Sequence, residues 1–183
     1  METFSSPAVT GRPQPRTVAR AQGAARVIAS DFETVYRNER DRLVRALSIA
    51  IGDDALATEA VDEAFTRALH RWHAVGTFDE PAAWIYRTAR NWATSRFRRR
   101  RRDRTFAPDI ARPESVEPST QDPELAAALR QLPDDQRNVL VLRYYLDWTI
   151  GATADALDIS PGTVKSRTNR ALNELNRLLG DRS

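Results

Sequence analysis

The sequence contains no cysteine, which excludes disulfides, thiolate metal sites and cysteine catalysis. Histidine is almost as scarce. His70 and His73 are the two present, and beside apolar Leu69 and Trp72 they read as surface or helix-end residues rather than ligands or bases. Lys165 is the single lysine among 28 basic residues; the others are arginine. Segments alternating at the period of a β-strand are rare, and most of the ten prolines and seven glycines fall outside the periodic segments. An all-α chain is expected. No apolar run approaches membrane-spanning length and no apolar signal block stands near the N-terminus, so the expectation is a cytoplasmic chain without membrane insertion. No glycine-rich phosphate loop, metal-ligand cluster or nucleophile–base pair can be picked out, and no enzyme, catalytic residue, metal or cofactor is expected.

What is present is charge, strongly segregated. The net charge of +3 conceals an acid-rich block over residues 31–80, in which Asp53, Asp54, Glu59, Asp62 and Glu63 lie close together. Residues 81–104 then carry arginine at 87, 90, 96, 98 to 102 and 104 against Asp103 alone. Acid returns after that, and the segment from Lys165 is basic again. Alternating blocks fit a protein that meets nucleic acid with some surfaces and a protein partner with others.

Along the chain, Pro7, Pro13 and Pro15 among scattered arginines predict a disordered tail over 1–29. A helix is expected from Asp31, with Phe32, Val35, Tyr36, Leu43, Leu47 and Ile51 on one stripe and Gly52 at its C′ position. Asp53 or Asp54 caps a second helix, apolar at 56, 60, 61, 64, 65, 68, 69 and 72. Residues 73–79 read as a loop, and Glu80-Pro81 starts a third helix through Trp84, Ile85, Ala89 and Trp92 into the arginine run. These three form a bundle over 30–102. Pro108, Pro113 and Pro118, with acidic neighbours, predict an extended Pro-rich linker over 103–122. A second small helical domain, 123–183, begins at Asp122-Pro123 as cap and N1, with Leu125, Leu129 and Leu132 inward. A helix over about 134–146 follows.

Thr149–Ala171 is the most specific stretch. Thr149 can cap a short helix carrying Ile150, Ala154 and Leu157. Asp158-Ile159 makes a turn, and Ser160-Pro161 opens a second helix that sends Val164, Ala171 and Leu172 inward. Its other face offers Thr163, Lys165, Ser166, Arg167, Asn169 and Arg170. This is a helix-turn-helix pattern suited to a major groove. Lys165, Ser166 and Asn169 would contact bases, while Thr163, Arg167, Arg170 and Arg143 would contact phosphates. In the third helix, Trp84, Tyr86, Trp92 and Phe97 interleave with Arg87, Arg90, Arg96 and Arg98. Arginine among aromatics suits separated strands, with charge along phosphates and bases on rings. Trp92 is expected to be buried and Trp84 partly so.

Three segments resemble the sigma-70 family of bacterial RNA polymerase sigma factors, in its two-domain extracytoplasmic-function branch. Ala57–Leu69, ATEAVDEAFTRAL, is similar to the family's acidic polymerase-binding helix. Pro81–Asn91, PAAWIYRTARN, resembles its promoter-melting helix. Leu132–Leu179 resembles its helix-turn-helix domain. The resemblance implies a sigma factor that binds core RNA polymerase through Asp62, Glu63 and Phe65. It would hold the melted −10 element with Trp84, Arg87, Asn91, Trp92, Arg96, Arg98 and Arg99, a flipped base entering loop 73–79, and read the −35 element as duplex. Promoter DNA and core polymerase are the implied partners, and an anti-sigma factor is admitted as a third. This chain departs from the family at Asp62 (usually glutamine), Ala152 (glutamate), Thr153 (isoleucine) and Asp158 (glycine). The alternative is a conventional helix-turn-helix regulator that binds DNA without polymerase.

Overall fold

The computed structural model describes residues 16–104 and 122–180, with side chains placed over 31–99 and 122–180. All regular structure there is helical. The first half comprises α1 (Arg16–Ile51), α2 (Asp54–His70), the single turn α3 (Trp72–Val75) and α4 (Pro81–Arg104). The second comprises α5 (Pro123–Gln131), α6 (Asp134–Leu140), a π-helical turn (Val141–Tyr145), α7 (Ile150–Leu157) and α8 (Pro161–Gly180).

Most boundaries follow from local chemistry. Gly52 ends α1 at φ 71°, a left-handed conformation that glycine adopts without steric cost. Asp53 caps α2 by accepting from the Leu56 amide at 2.8 Å, a cap that contributes about 1 kcal/mol. Asp122 caps α5 through the Glu124 and Leu125 amides, with Pro123 at N1.

Four boundaries differ from expectation. Helix α1 starts at Arg16, so the tail expected over 1–29 is helical from there; residues 1–15 lie outside the described residues. The prolines that suggested disorder all precede Arg16, and the alanine-rich stretch behind them favours helix. Residues 72–75 wind into a turn of helix, which shortens the expected loop to 76–80. Helix α4 continues through Arg104, and the rest of the expected linker, 105–121, lies outside the described residues. The helix expected over 134–146 slips into π geometry, the Leu146 amide donating five residues back to Val141 at 3.1 Å.

The core of the first half is built from small residues on α2. Ala57, Ala60, Ala64 and Ala68 are fully buried, and their short side chains let α1 and α4 approach closely on either side. An aromatic cluster closes one end. Phe32 meets Phe65 and Trp72 edge-on at centroid distances of 6.2 and 5.1 Å, and Tyr36 meets Phe65 at 5.0 Å. Pairs of this kind add about 0.5–1.5 kcal/mol beyond area burial. In the second half, Leu132, Leu140 and Ala171 are buried, with Leu129, Leu172 and Leu175 packed against them. The two halves are not held apart. Val139, Leu142, Trp148, Leu157 and Val164 belong to the same apolar cluster as Leu43, Ile85 and Tyr86.

Candidate nucleic-acid interface

Helix α4 has two faces. Ala82, Ile85, Tyr86, Ala89 and Ala93, at helical spacing, are buried. The opposite stripe, Trp84, Thr88, Asn91, Trp92, Ser95, Arg96 and Arg99, lines an open cleft of about 660 Å³. Five residues assigned to strand binding from the sequence therefore share one cavity. Arg67 and Arg71 of the α2 end complete the opposite wall. Sequence reading missed both. Their four-residue spacing, from the last turn of α2 to the residue that follows it, was a visible signal, but only packing shows that it faces α4.

Details within the cleft suit separated bases. Trp92 is half-buried rather than buried, a correction that leaves part of its ring available. The Arg96 guanidinium lies over that ring at 5.4 Å from its centroid, and Arg96 also donates to Glu59 at 3.2 Å. Two residues do not share this cleft. Arg87 pairs instead with Asp158 at 2.8 Å, and Arg98 is exposed outside it. Tyr86 is fully buried, so its ring offers no stacking surface. Burial pushes its hydroxyl well above the ordinary tyrosine pKa, with the charge of Arg90 pulling the other way. Phe97 is the exposed ring of the set. Gly76 sits where the chain leaves α3. A Cβ there would lie 2.9 Å from the Trp72 carbonyl oxygen and 3.0 Å from its ring, so glycine is required by close approach.

The helix-turn-helix forms as its sequence suggests. Thr149 accepts from the Ala152 amide at 3.1 Å, and Ser160 from the Thr163 amide at 3.1 Å. Between them Asp158 takes φ 58°, the left-handed turn in which aspartate is among the tolerated residues. Val164 and Ala171 are fully buried. Lys165, Ser166, Asn169 and Arg170 are exposed on the outer face, with Thr163 half-buried at its start. Arg167 is half-buried and paired with Asp135 of α6 at 3.1 Å. Arg143 donates to the Trp148 carbonyl oxygen, bracing the loop before α7.

The acidic helix is less free than its sequence suggests. Arg40 of α1 grips both oxygens of Asp62, at 2.8 and 2.9 Å, and this hydrogen bonding raises the guanidinium pKa further. Glu63 accepts from Arg67 at 2.8 Å. Phe65, grouped with them from the sequence, is buried in the aromatic cluster and presents no ring to a partner.

The described residues thus form an all-helical fold with a basic, aromatic-lined cleft on α4 and a helix-turn-helix whose second helix, α8, is exposed on its outer face. Residues 123–175 match the family described as Sigma-70, region 4. The chain is 31% identical over 166 residues to the ECF RNA polymerase sigma factor SigL of Mycobacterium tuberculosis, covering 86% of this chain and 94% of that protein. It is 30% identical over 155 residues to the RNA polymerase sigma-E factor of Streptomyces antibioticus, covering 83% and 86%. In fold it is similar to the sigma factor RpoE of Bartonella quintana, solved with the anti-sigma factor NepR. The TM-score is 0.69 at 22% identity, over 82% of this chain and 97% of that one. CnrH, solved with the cytosolic domain of CnrY, gives 0.57 at 25% identity over 83% and 89%. The chain belongs to the extracytoplasmic-function family of RNA polymerase sigma factors. It is a sigma factor rather than a free-standing regulator. Among the described residues, no helix is long and apolar enough to cross a membrane.

Proposed function

We propose that this sigma factor docks on core RNA polymerase, reads the −35 element with α8 and holds the opened −10 element in the α4 cleft. Two dissimilar surfaces in one chain carry the reading. The exposed outer face of α8 suits a major groove, where Lys165, Ser166 and Asn169 address base edges and Thr163, Arg167 and Arg170 the phosphates. The cleft suits single strands, because Trp84 and Trp92 stand beside Arg96, Arg99 and Asn91 on one stripe. A duplex hides base faces, so those rings gain partners only after melting, at about 1–3 kcal/mol per base. That gain offsets part of the unpairing cost and couples binding to opening. Arg87 and Arg98 join as phosphate contacts, Arg87 after release from Asp158, and a base flipped from the stack enters beside Gly76. Residues 30–102 and 123–183 act as the two readers, with the acidic segment 103–122 between them in a basic channel of the polymerase.

Polymerase docking is assigned to the Asp62–Glu63 side of α2, with Arg40 holding Asp62 in position. An anti-sigma factor is a natural further partner, since the solved relatives RpoE and CnrH are each in complex with a second protein. The deciding experiment compares Asn91→Ala with wild type on paired and pre-melted promoters in the presence of core polymerase. A defect in opening the paired promoter and weaker binding of the non-template oligonucleotide are expected, with rescue by the bubble only partial. Unchanged permanganate reactivity across the −10 region would remove α4 from strand capture.

A further inference from the structure

The acidic block of α2 reaches the cleft through Glu59. Asp62, its near neighbour in the sequence, turns to Arg40 of α1, whereas Glu59 turns to α4. Its Oε1 accepts from Arg96 Nη2 at 3.2 Å. Ala60 and Ala93 are buried between the two helices, and their short side chains keep α2 and α4 close enough for this pair to meet. Arg96 Cζ stands over the Trp92 ring, 5.4 Å from its centroid. Trp92 precedes Arg96 by one turn of α4, the spacing at which side chains stack along a helix. One guanidinium is therefore bounded on a face by an indole and at an end by a carboxylate.

The two contacts constrain different motions. An exposed ion pair alone holds a long side chain weakly, and here both side chains are 45% exposed. A cation resting on an aromatic face is free to slide and spin. Together, the ring limits the tilt of the guanidinium and Glu59 limits its rotation over the ring. The guanidinium carries several N–H donors in a fixed fork, so the bond to Glu59 leaves others for a ligand in the cleft. Parallel donors match adjacent acceptors on a base edge, as guanine presents at O6 and N7. Adenine puts a donor beside N7, and thymine offers O4 beside a methyl group, so neither satisfies such a fork. Unpaired cytosine has adjacent acceptors at O2 and N3, but guanine sets its pair on the larger ring, with more surface to stack in a cleft that also holds Trp84. Glu59 meanwhile offsets the charge of Arg96, so this arginine gives a strand geometry more than net attraction.

We propose that Glu59 is a positioning residue that holds Arg96 on Trp92 as a guanine-reading fork for one base of the captured strand. The fork rests on the promoter reading above and adds to it a base-specific contact and the residue that aims it. Arg99, on the same wall of the cleft, contacts phosphate and serves as the comparison.

The assay uses core RNA polymerase with this full chain and a fluorescent non-template oligonucleotide. Each −10 position carries in turn one of the four bases or a guanine analogue lacking N7. Wild type should prefer guanine about tenfold at one position, within the range of a bidentate arginine contact, and lose that preference with the analogue. Glu59→Gln removes the buttress and unmasks the charge. Strands of every sequence should then bind more tightly and with a steeper salt dependence, while the preference for guanine falls. A residue that only supported the fold would not raise affinity and lower discrimination together. Arg96→Lys keeps the charge without the fork and should lose the preference, whereas Arg99→Lys should retain it. No guanine preference in wild type would overturn the fork. So would undiminished preference in Glu59→Gln or Arg96→Lys, or uniformly weaker binding in Glu59→Gln, with helical circular dichroism intact. A wild-type complex that forms with polymerase but binds no oligonucleotide would overturn the promoter reading and the fork with it, whereas strand binding without these base effects overturns the fork alone.

Discussion

Thr153 offers the sharpest test of the packing behind the recognition helix. It is fully buried in α7, and among the described residues its hydroxyl oxygen has no hydrogen-bond partner. A buried hydroxyl without a partner costs about 1–3 kcal/mol, because desolvation is not compensated. Thr153→Val replaces that hydroxyl by a methyl group of nearly the same volume. Valine and threonine have similar helix propensity, so the backbone term is close to zero. The net expectation is a gain of about 1 kcal/mol, which in a chain of this size raises the unfolding midpoint by about 2–4 °C. Thermal and urea unfolding measure it, with the urea midpoint rising at constant slope if only stability changes. Since Thr153 faces the core rather than the outer face of α8, −35 preference should be unaltered. A lower midpoint for Thr153→Val would mean that the hydroxyl is satisfied in solution and that the packing described here is wrong.

Asn169→Ala should cost about 1–3 kcal/mol at one −35 position and leave the others alone, whereas Arg167→Ala should weaken all promoters alike and flatten the salt dependence; selection from randomised promoters and a salt titration separate them. Gly76→Ala forces a Cβ to 2.9 Å from the Trp72 carbonyl oxygen. It should destabilise the first half by about 1–3 kcal/mol, read by urea unfolding, and impair promoter opening more than polymerase binding. Tyr86 supplies a pH test, because burial raises its folded pKa above the unfolded value of about 10. Its contribution is complete below that value and declines as pH rises toward and through the folded pKa. Stability to urea should therefore fall between about pH 9 and about pH 11 in wild type, and fall less in Tyr86→Phe.

Local signals in the sequence were sufficient for the helical class and for the helix-turn-helix. Caps act within four residues, so Asp53, Asp122, Thr149 and Ser160 could each be read before any packing was known, and each accepts the expected amide. The stripe on α4 was legible for the same reason. What the sequence concealed depends on contacts between distant segments. Arg40 lies 22 residues from Asp62, and no periodicity links a helix-borne arginine to one particular carboxylate. Phe65 has the same three-four spacing whether it faces a partner or the core. Tyr86 sits among arginines in the sequence and yet packs against Trp148 and Asn138, because a helix mixes its faces along the chain. The π turn at Val141–Tyr145 has no local signature that we can identify.

Reconstituted initiation bears most directly on the central claim. Core RNA polymerase is supplied with this chain and a library of promoter fragments, and start sites are mapped on the transcripts. Initiation should depend on the chain and occur at discrete positions downstream of paired −35 and −10 elements. Mutation of Asn169 should alter the upstream element, and mutation of Asn91 the downstream one. Specific DNA binding by the chain alone, with start sites and transcript yield identical whether or not it is present, would contradict the account.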